Sequence, residues 1–196
     1  MSFVSIIANE NLCCIMSDGR LTNRTTGKIE QENLPKFDCF NNKTAFIATT
    51  GTKGLADYIL ENIKIKSNIY EEWIVMFEEF YDDPKLSLIL KLHPHSTLQL
   101  TFGGLNDKNE IEVYSFNYNG RTVRKHKIPT DDNLLLMLGE QKYFDGAFDL
   151  YKKEMEQRQH VTPSDYIGTQ KLMNNYVADA TSHVNKNTFR LVIKKQ

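Results

Sequence analysis

Disulfide chemistry is the first thing this chain goes without. It has three cysteines in 196 residues, and two of them are the neighbours Cys13 and Cys14, which makes no disulfide framework. Set in the middle of an apolar run, that pair reads as core filler rather than as a thiol nucleophile or a redox couple. A dominant charge is missing as well. The 24 Lys and Arg against 25 Asp and Glu leave a net −1, which makes no electrostatic case for nucleic acid, and the basic stretch from Arg121 to Lys127 reads as one solvated strand. No apolar run approaches the ~18–20 residues of a membrane span, and no secretory signal pattern opens the sequence. The five histidines, His93 and His95 included, lack metal-ligand spacing, so no metal and no other cofactor is expected. Repeats and low-complexity linkers are absent too. With 40% hydrophobic and 25% charged residues, the expectation is a soluble, cytoplasmic protein made of one globular domain over residues 1–196.

What is present begins with two apolar runs, residues 3–7 and 12–16, separated by Ala8-Asn9-Glu10-Asn11. This reads as strand, tight turn, strand. Lys43 to Gly51 forms another strand. Leu55, Ala56, Ile59, Leu60 and Ile63 then fall at helical spacing, and a second helix is expected over 68–81 with Trp73, Phe77 and Phe80 on one side. Pro84 and the His93-Pro94-His95 turn interrupt. A meander follows over 97–105, 111–117 and 122–128, with Asn119-Gly120 at its second turn, and then a buried strand over 134–138. Helices are expected over 143–157 and 163–183, the latter announced by Thr162 as N-cap and Pro163 in the first turn. A strand over 188–194 ends the pattern.

The hairpin has a chemical consequence. Removal of Met1 would leave Ser2 with a free α-amine, whose unperturbed pKa near ~8 lets it act as base for its own hydroxyl. A hairpin of this length brings Asp18 back beside Ser2, where a carboxylate can stabilise a protonated amine or hold a lysine. Asp18-Gly19 also suits an ordinary turn. The strand ending in Thr49-Thr50-Gly51 before a helix offers backbone N–H groups, the parts of an oxyanion hole.

With Ser2 and Asp18 sixteen residues apart, Lys36-Phe37 following, and Gly51 at the strand end, the chain resembles the N-terminal nucleophile hydrolases, specifically proteasome β-type subunits and their bacterial relatives. The resemblance implies an α+β fold of the four-layer αββα sandwich type. It also implies Ser2 as nucleophile, Lys36 as catalytic lysine, Asp18 beside them and Gly51 as oxyanion donor. Asp179-Ala-Thr-Ser182 resembles the family's Asp-x-x-Ser pair, which orders the nucleophile's surroundings. By the same analogy Arg20, Thr22, Thr49 and Lys53 wall the substrate pocket, a basic and polar set that points to acidic or polar side chains. The implied activity is amide-bond hydrolysis on a peptide or protein substrate, by a homo-oligomer with an ATPase unfoldase of unspecified identity as a further partner. The aromatic load of the second helix is expected to supply part of a subunit contact.

The chain departs from the family pattern in places. Glu140 stands where a serine is usual, His183-Val184 replaces a Gly-Gly pair, and the segment Gly51 to Asp57 is two residues longer than in relatives. These departures favour an alternative reading, a catalytically inactive proteasome-like subunit serving as a scaffold or binding protein.

Overall fold

Why residues 3–8 and 12–18 lack the alternation of a half-buried strand becomes plain in a computed structural model, which describes residues 2–23, 26–62, 70–80, 82–92, 97–117, 122–158 and 161–195. Strands β1 (Val4–Ala8) and β2 (Leu12–Asp18) are covered on both faces, and every one of their residues is buried. Val4, Ile6, Cys13 and Ile15 face one core, while Ile7, Leu12 and Cys14 face another. A strand with two buried sides reads as a near-continuous apolar run, and the polar exceptions here are Ser5, Ser17 and Asp18. The adjacent cysteines therefore serve opposite faces.

The remaining strands are β3 (Leu21–Thr22), β4 (Ile29–Gln31), β5 (Phe37–Phe40), β6 (Ala45–Gly51), β7 (Leu98–Leu105), β8 (Ile111–Asn117), β9 (Thr122–His126), β10 (Leu134–Leu138) and β11 (Thr188–Lys194). The helices are α1 (Lys53–Asn62), α2 (Tyr70–Phe80), α3 (Pro84–Leu92), α4 (Phe144–Glu156) and α5 (Pro163–Ala180). One sheet runs β10-β1-β2-β11 and a second β5-β6-β7-β8-β9, with β3 and β4 as a small separate pair. Pairing within the two main sheets is antiparallel.

Three cores separate four layers. Trp73, Phe77, Ile59 and Leu86 of the first helices pack on Leu100 and Phe102 of the five-stranded sheet. Val4, Ile6 and Ile15 of one sheet meet Phe46, Ala48 and Val113 of the other. Ala147, Tyr166, Met173 and Val177 of α4 and α5 cover Ile7 and Cys14. The fold is α+β, as expected, with helices on both outer sides of two stacked sheets. Polar bonds pin α5 to its sheet, for Gln170 donates to the carbonyls of Ser5 and Cys14 at 2.9 and 3.1 Å.

Several expectations change. Pro84 opens a helix instead of interrupting one, because Asp83 caps it, accepting from the backbone of Lys85 and Leu86 at 2.7 and 3.0 Å, and proline suits a first helical position. Among the described residues, that outer side thus carries three helices. Residues 134–138 form a sheet edge and are mostly half-buried. Helix α5 ends at Ala180, short of His183. Trp73, Phe77 and Phe80 are all buried in the chain's own core, so they leave no aromatic stripe for a subunit contact. Ile63, Asn68, Ile69, Tyr81, the His93-Pro94-His95 turn and Asn119-Gly120 lie outside the described residues. Among the described residues no helix is long and apolar enough to cross a membrane.

Candidate active site

The β1–β2 register pairs Val4 with Ser17, so the end of the hairpin brings Asp18 against the segment that carries Ser2. Asp18 is fully buried. Its Oδ1 accepts from the backbone N–H of Phe3 at 2.9 Å, and its Oδ2 from that of Arg20 at 2.8 Å. In return the Asp18 N–H donates to the Phe3 carbonyl at 3.1 Å. The carboxylate thereby fixes the backbone one residue after Ser2.

Lys36 is 8% exposed. Its backbone is held on both sides: its N–H donates to Ser17 Oγ at 3.1 Å, and its carbonyl accepts from Thr49 at 2.8 Å. Its Nζ is buried without a hydrogen-bond partner among the described residues. Burial lowers the lysine pKa, and Lys53 lowers it further, while Asp18 opposes them. Burial pushes the Asp18 carboxyl up to about 6, against the two backbone donors and Lys36. Each group thus favours the charge of the other, while burial works against both charged forms.

Two clefts meet here. The first, about 200 Å³, is lined by Ser2, Lys36, Thr49, Gly51 and Lys53, with Leu21, Ala56 and Leu60 giving apolar wall. The second, about 270 Å³, is lined by Ser2, Thr50 and Gly51 together with Thr97, Gln99, Gly139 and Glu140. Gly51 sits at φ +118°, and a Cβ there would lie 2.1 Å from the Thr97 carbonyl oxygen, so only glycine fits. A larger hollow of about 640 Å³ is bounded by Glu10 of the β1–β2 turn, Lys125 and Lys195, and shares no lining residue with these clefts.

The structure thus brings together Ser2, Lys36, Thr49, Gly51 and Lys53, with Asp18 bonded behind them. Four expected residues fall elsewhere. Arg20 is engaged by Glu32, its Nη2 lying 2.9 Å from Oε1, and by the Ser182 carbonyl at 2.6 Å. Thr22 is buried. Successive residues of a strand point to opposite faces, so Leu21 reaches the cleft and its two neighbours do not. Asp179 pairs with Lys186 at 2.6 Å with its side chain 65% exposed. Ser182 offers its carbonyl to Arg20, and neither Asp179 nor Ser182 lines either cleft. The basic wall also dissolves: Lys53 is paired with Asp57, and Asp38 joins the lining, so the two lysines face two aspartates.

Residues missed from sequence do the positioning. Asn185 accepts from Gly19 N–H and donates to the Glu32 carbonyl, both at 2.9 Å, clamping the turn after Asp18. Arg20 and Asn185 in turn hold the Glu32 carboxyl below its usual range. Gln99 Oε1 accepts from Thr50 Oγ1 at 2.9 Å and from Gly139 N–H at 2.6 Å, joining the two sheets beside Ser2. Gly139, at φ +143°, would drive a Cβ to 2.7 Å from the Ser2 carbonyl oxygen. No local sequence signal announces these contacts, since the partners lie far apart along the chain.

No protein-family model matches the chain, and no curated protein matches it. Solved structures do. Eukaryotic HslV from Trypanosoma brucei is 12% identical, with 98% of this chain and 99% of that one covered and a TM-score of 0.66. Anbu, the ancestral β-subunit, from Yersinia bercovieri is 12% identical over 98% of this chain and 81% of that one, with a TM-score of 0.73. A mutant Anbu from Hyphomicrobium sp. strain MC1 is 12% identical over 99% and 82%, with a TM-score of 0.72. Their likeness extends over essentially the whole chain, and the fold is the proteasome-like N-terminal nucleophile hydrolase fold.

Proposed function

We propose that the chain is an amide-bond hydrolase acting on peptides, with Ser2 as nucleophile once Met1 is removed. The observation that carries this reading is the shared cleft of Ser2 and the buried ammonium of Lys36, which has no hydrogen-bond partner among the described residues and is backed by Asp18. The Ser2 α-amine takes the Oγ proton as Oγ bonds to the carbonyl carbon. The Gly51 N–H receives the oxyanion, a role in which one donor is worth about 3 kcal/mol in the transition state. The C–N bond then breaks, the departing nitrogen takes the proton, and water releases the acyl group. Lys36 favours the free amine and the developing alkoxide through its charge. Asp179 and Ser182 have no part in this scheme.

Glu140 favours a second reading, the inactive scaffold, because it lines the cleft beside Ser2 where the resemblance leads one to expect serine. Labelling decides between them. Untagged protein lacking Met1 is treated with an electrophile directed at N-terminal nucleophiles, and Ser2→Ala should abolish the adduct. Equal labelling of both proteins supports the scaffold.

A cytoplasmic homo-oligomer belongs to the same proposal. With Trp73, Phe77 and Phe80 buried, the exposed Val75 and Leu88 on α2 and α3, or Phe148 and Leu172 on α4 and α5, are candidates for contact. Light scattering over a concentration series should give a mass above one chain, and a monomer throughout would contradict this.

A further inference from the structure

Acyl transfer at Ser2 needs room for two fragments, the acyl group that stays on Oγ and the amine that departs. The two clefts share Ser2, Thr50 and Gly51, so they open on either side of one reacting position. They differ in chemistry: the first joins apolar wall to a balanced set of two lysines and two aspartates, whereas in the second Glu140 is the one carboxyl-bearing side chain among the described lining residues. Resting on the reading of Ser2 above, we propose that the second cleft seats the leaving fragment and that Glu140 makes it select a cationic one, a lysine or arginine residue directly after the scissile amide.

Placement supports this. Gly139 lies so near the Ser2 carbonyl that a Cβ would meet it at 2.7 Å, and Glu140 is the next residue. Gln99 holds that turn through its bond to Gly139 N–H, which fixes the backbone one residue before Glu140. The ion-pair partner of Glu140 is Lys142 at 2.8 Å, with the lysine side chain 65% and the glutamate side chain 37% exposed. A pair between side chains this exposed contributes little, and because the paired oxygen, Oε2, is itself covered, a substrate cation takes the place of Lys142 there. The first cleft, with opposed charges, has no comparable preference. When the C–N bond breaks, the departing nitrogen takes the proton that Ser2 Oγ gave to the α-amine. The fragment thus leaves as a neutral amine that still carries its side-chain cation against Glu140.

Binding can be read without turnover. Argininamide, norleucinamide and glutamic acid α-amide share one α-amine and differ in side-chain charge. They are titrated separately into the protein while the Gly139 and Gly51 amide signals are followed by NMR. Argininamide should bind about three- to fivefold more tightly than norleucinamide, the size a partly exposed ion pair supports, and glutamic acid α-amide should bind most weakly. Glu140→Gln should erase the arginine preference, and Lys142→Ala, which frees the carboxylate, should enlarge it. Equal binding of the first two amides to the unmodified protein, or an arginine preference that survives Glu140→Gln, would overturn the proposal. Failure of Ser2 labelling with the arginine preference intact sinks the hydrolase alone. Labelling with no arginine preference sinks the cation site alone.

Discussion

The two flanks of Ser2 are built in opposite ways. On one side Asp18 and Lys36 are buried, and burial moves the carboxyl up and the lysine down. On the other side Glu140 stands half-exposed in an ion pair with Lys142. Removing charges from water is costly, and a buried pair often contributes less stability than apolar side chains of equal volume. The Asp18–Lys36 flank therefore bears a cost that packing alone does not require, in keeping with the role proposed for it. The Glu140 flank bears almost none. Changes on the buried flank should accordingly move the labelling rate much more than changes on the open one.

The largest effect should come from Lys36→Met. It removes the ammonium from the shared cleft, and acylation of Ser2 should slow by about 10²–10⁴-fold, the range of a positioned proton-transfer or charge partner. The unfolding free energy should stay level or rise by about 1 kcal/mol at pH 5, where Asp18 can take up a proton and Lys36 would otherwise stand as an uncompensated buried charge. Single-turnover labelling and urea unfolding measure the two quantities. A variant that loses stability and keeps its labelling rate would erase the contrast between the flanks.

Next comes the pH dependence that Asp18 imposes. Its folded pKa of about 6 lies above the ordinary 3.8, so the folded chain holds this proton more tightly than the unfolded one. The resulting stability is fully present below the unfolded value and is lost as pH rises through about 6. From pH 5 to pH 7 the loss should be about 1–1.5 kcal/mol. Burial lowers the pKa of His126, which works in the opposite direction in the same window, so the slope must be read against Asp18→Asn. Glu32 and Asp165, held low by their donors, add stability above their unfolded values and lose it in acid, below this window. Urea midpoints at the two pH values should show the fall in the unmodified chain and a flatter or rising line in Asp18→Asn. Parallel lines would contradict the burial of Asp18.

A smaller effect belongs to the clamp behind Asp18. Asn185→Ala leaves Gly19 N–H and the Glu32 carbonyl without their partner, a loss of about 1–3 kcal/mol. It should slow labelling only modestly, because Asp18 keeps its bonds to Phe3 and Arg20. A labelling loss as large as that of Lys36→Met would make Asn185 part of the chemistry.

Much of this could be read from residues because the informative elements are local. Two five-residue apolar runs and the short polar turn between them make a hairpin whose length fixes where Asp18 lies, and burial on both faces left a near-continuous apolar pattern. The start of α5, with Thr162 as N-cap and Pro163 in the first turn, was legible for the same reason, and the structure adds Asp165, which completes a capping box. What escaped depended on single-residue phase or on distance in the chain. The phase of residues 20–22 escaped because a two-residue strand shows no period to read, and Leu21, not Arg20 or Thr22, lines the cleft. Helix α3 escaped because Pro84 can end a helix or begin one, and the Asp83 cap decides which. Helix α5 stops at Ala180, and Asp179 then meets Lys186 at the surface instead of the cleft. Glu32 and Asn185 meet across 153 residues, and no periodicity encodes that.

The central claim is that Ser2, freed of Met1, is the nucleophile served by the buried flank. It is tested most directly by the intact mass of the untagged protein before and after reaction with an electrophile directed at N-terminal nucleophiles, followed by peptide mapping. The account predicts a starting mass short of Met1, one adduct per chain on Ser2, and no adduct on Ser2→Ala. A chain lacking Met1 that takes up no adduct, or takes it up equally after Ser2→Ala, would contradict it.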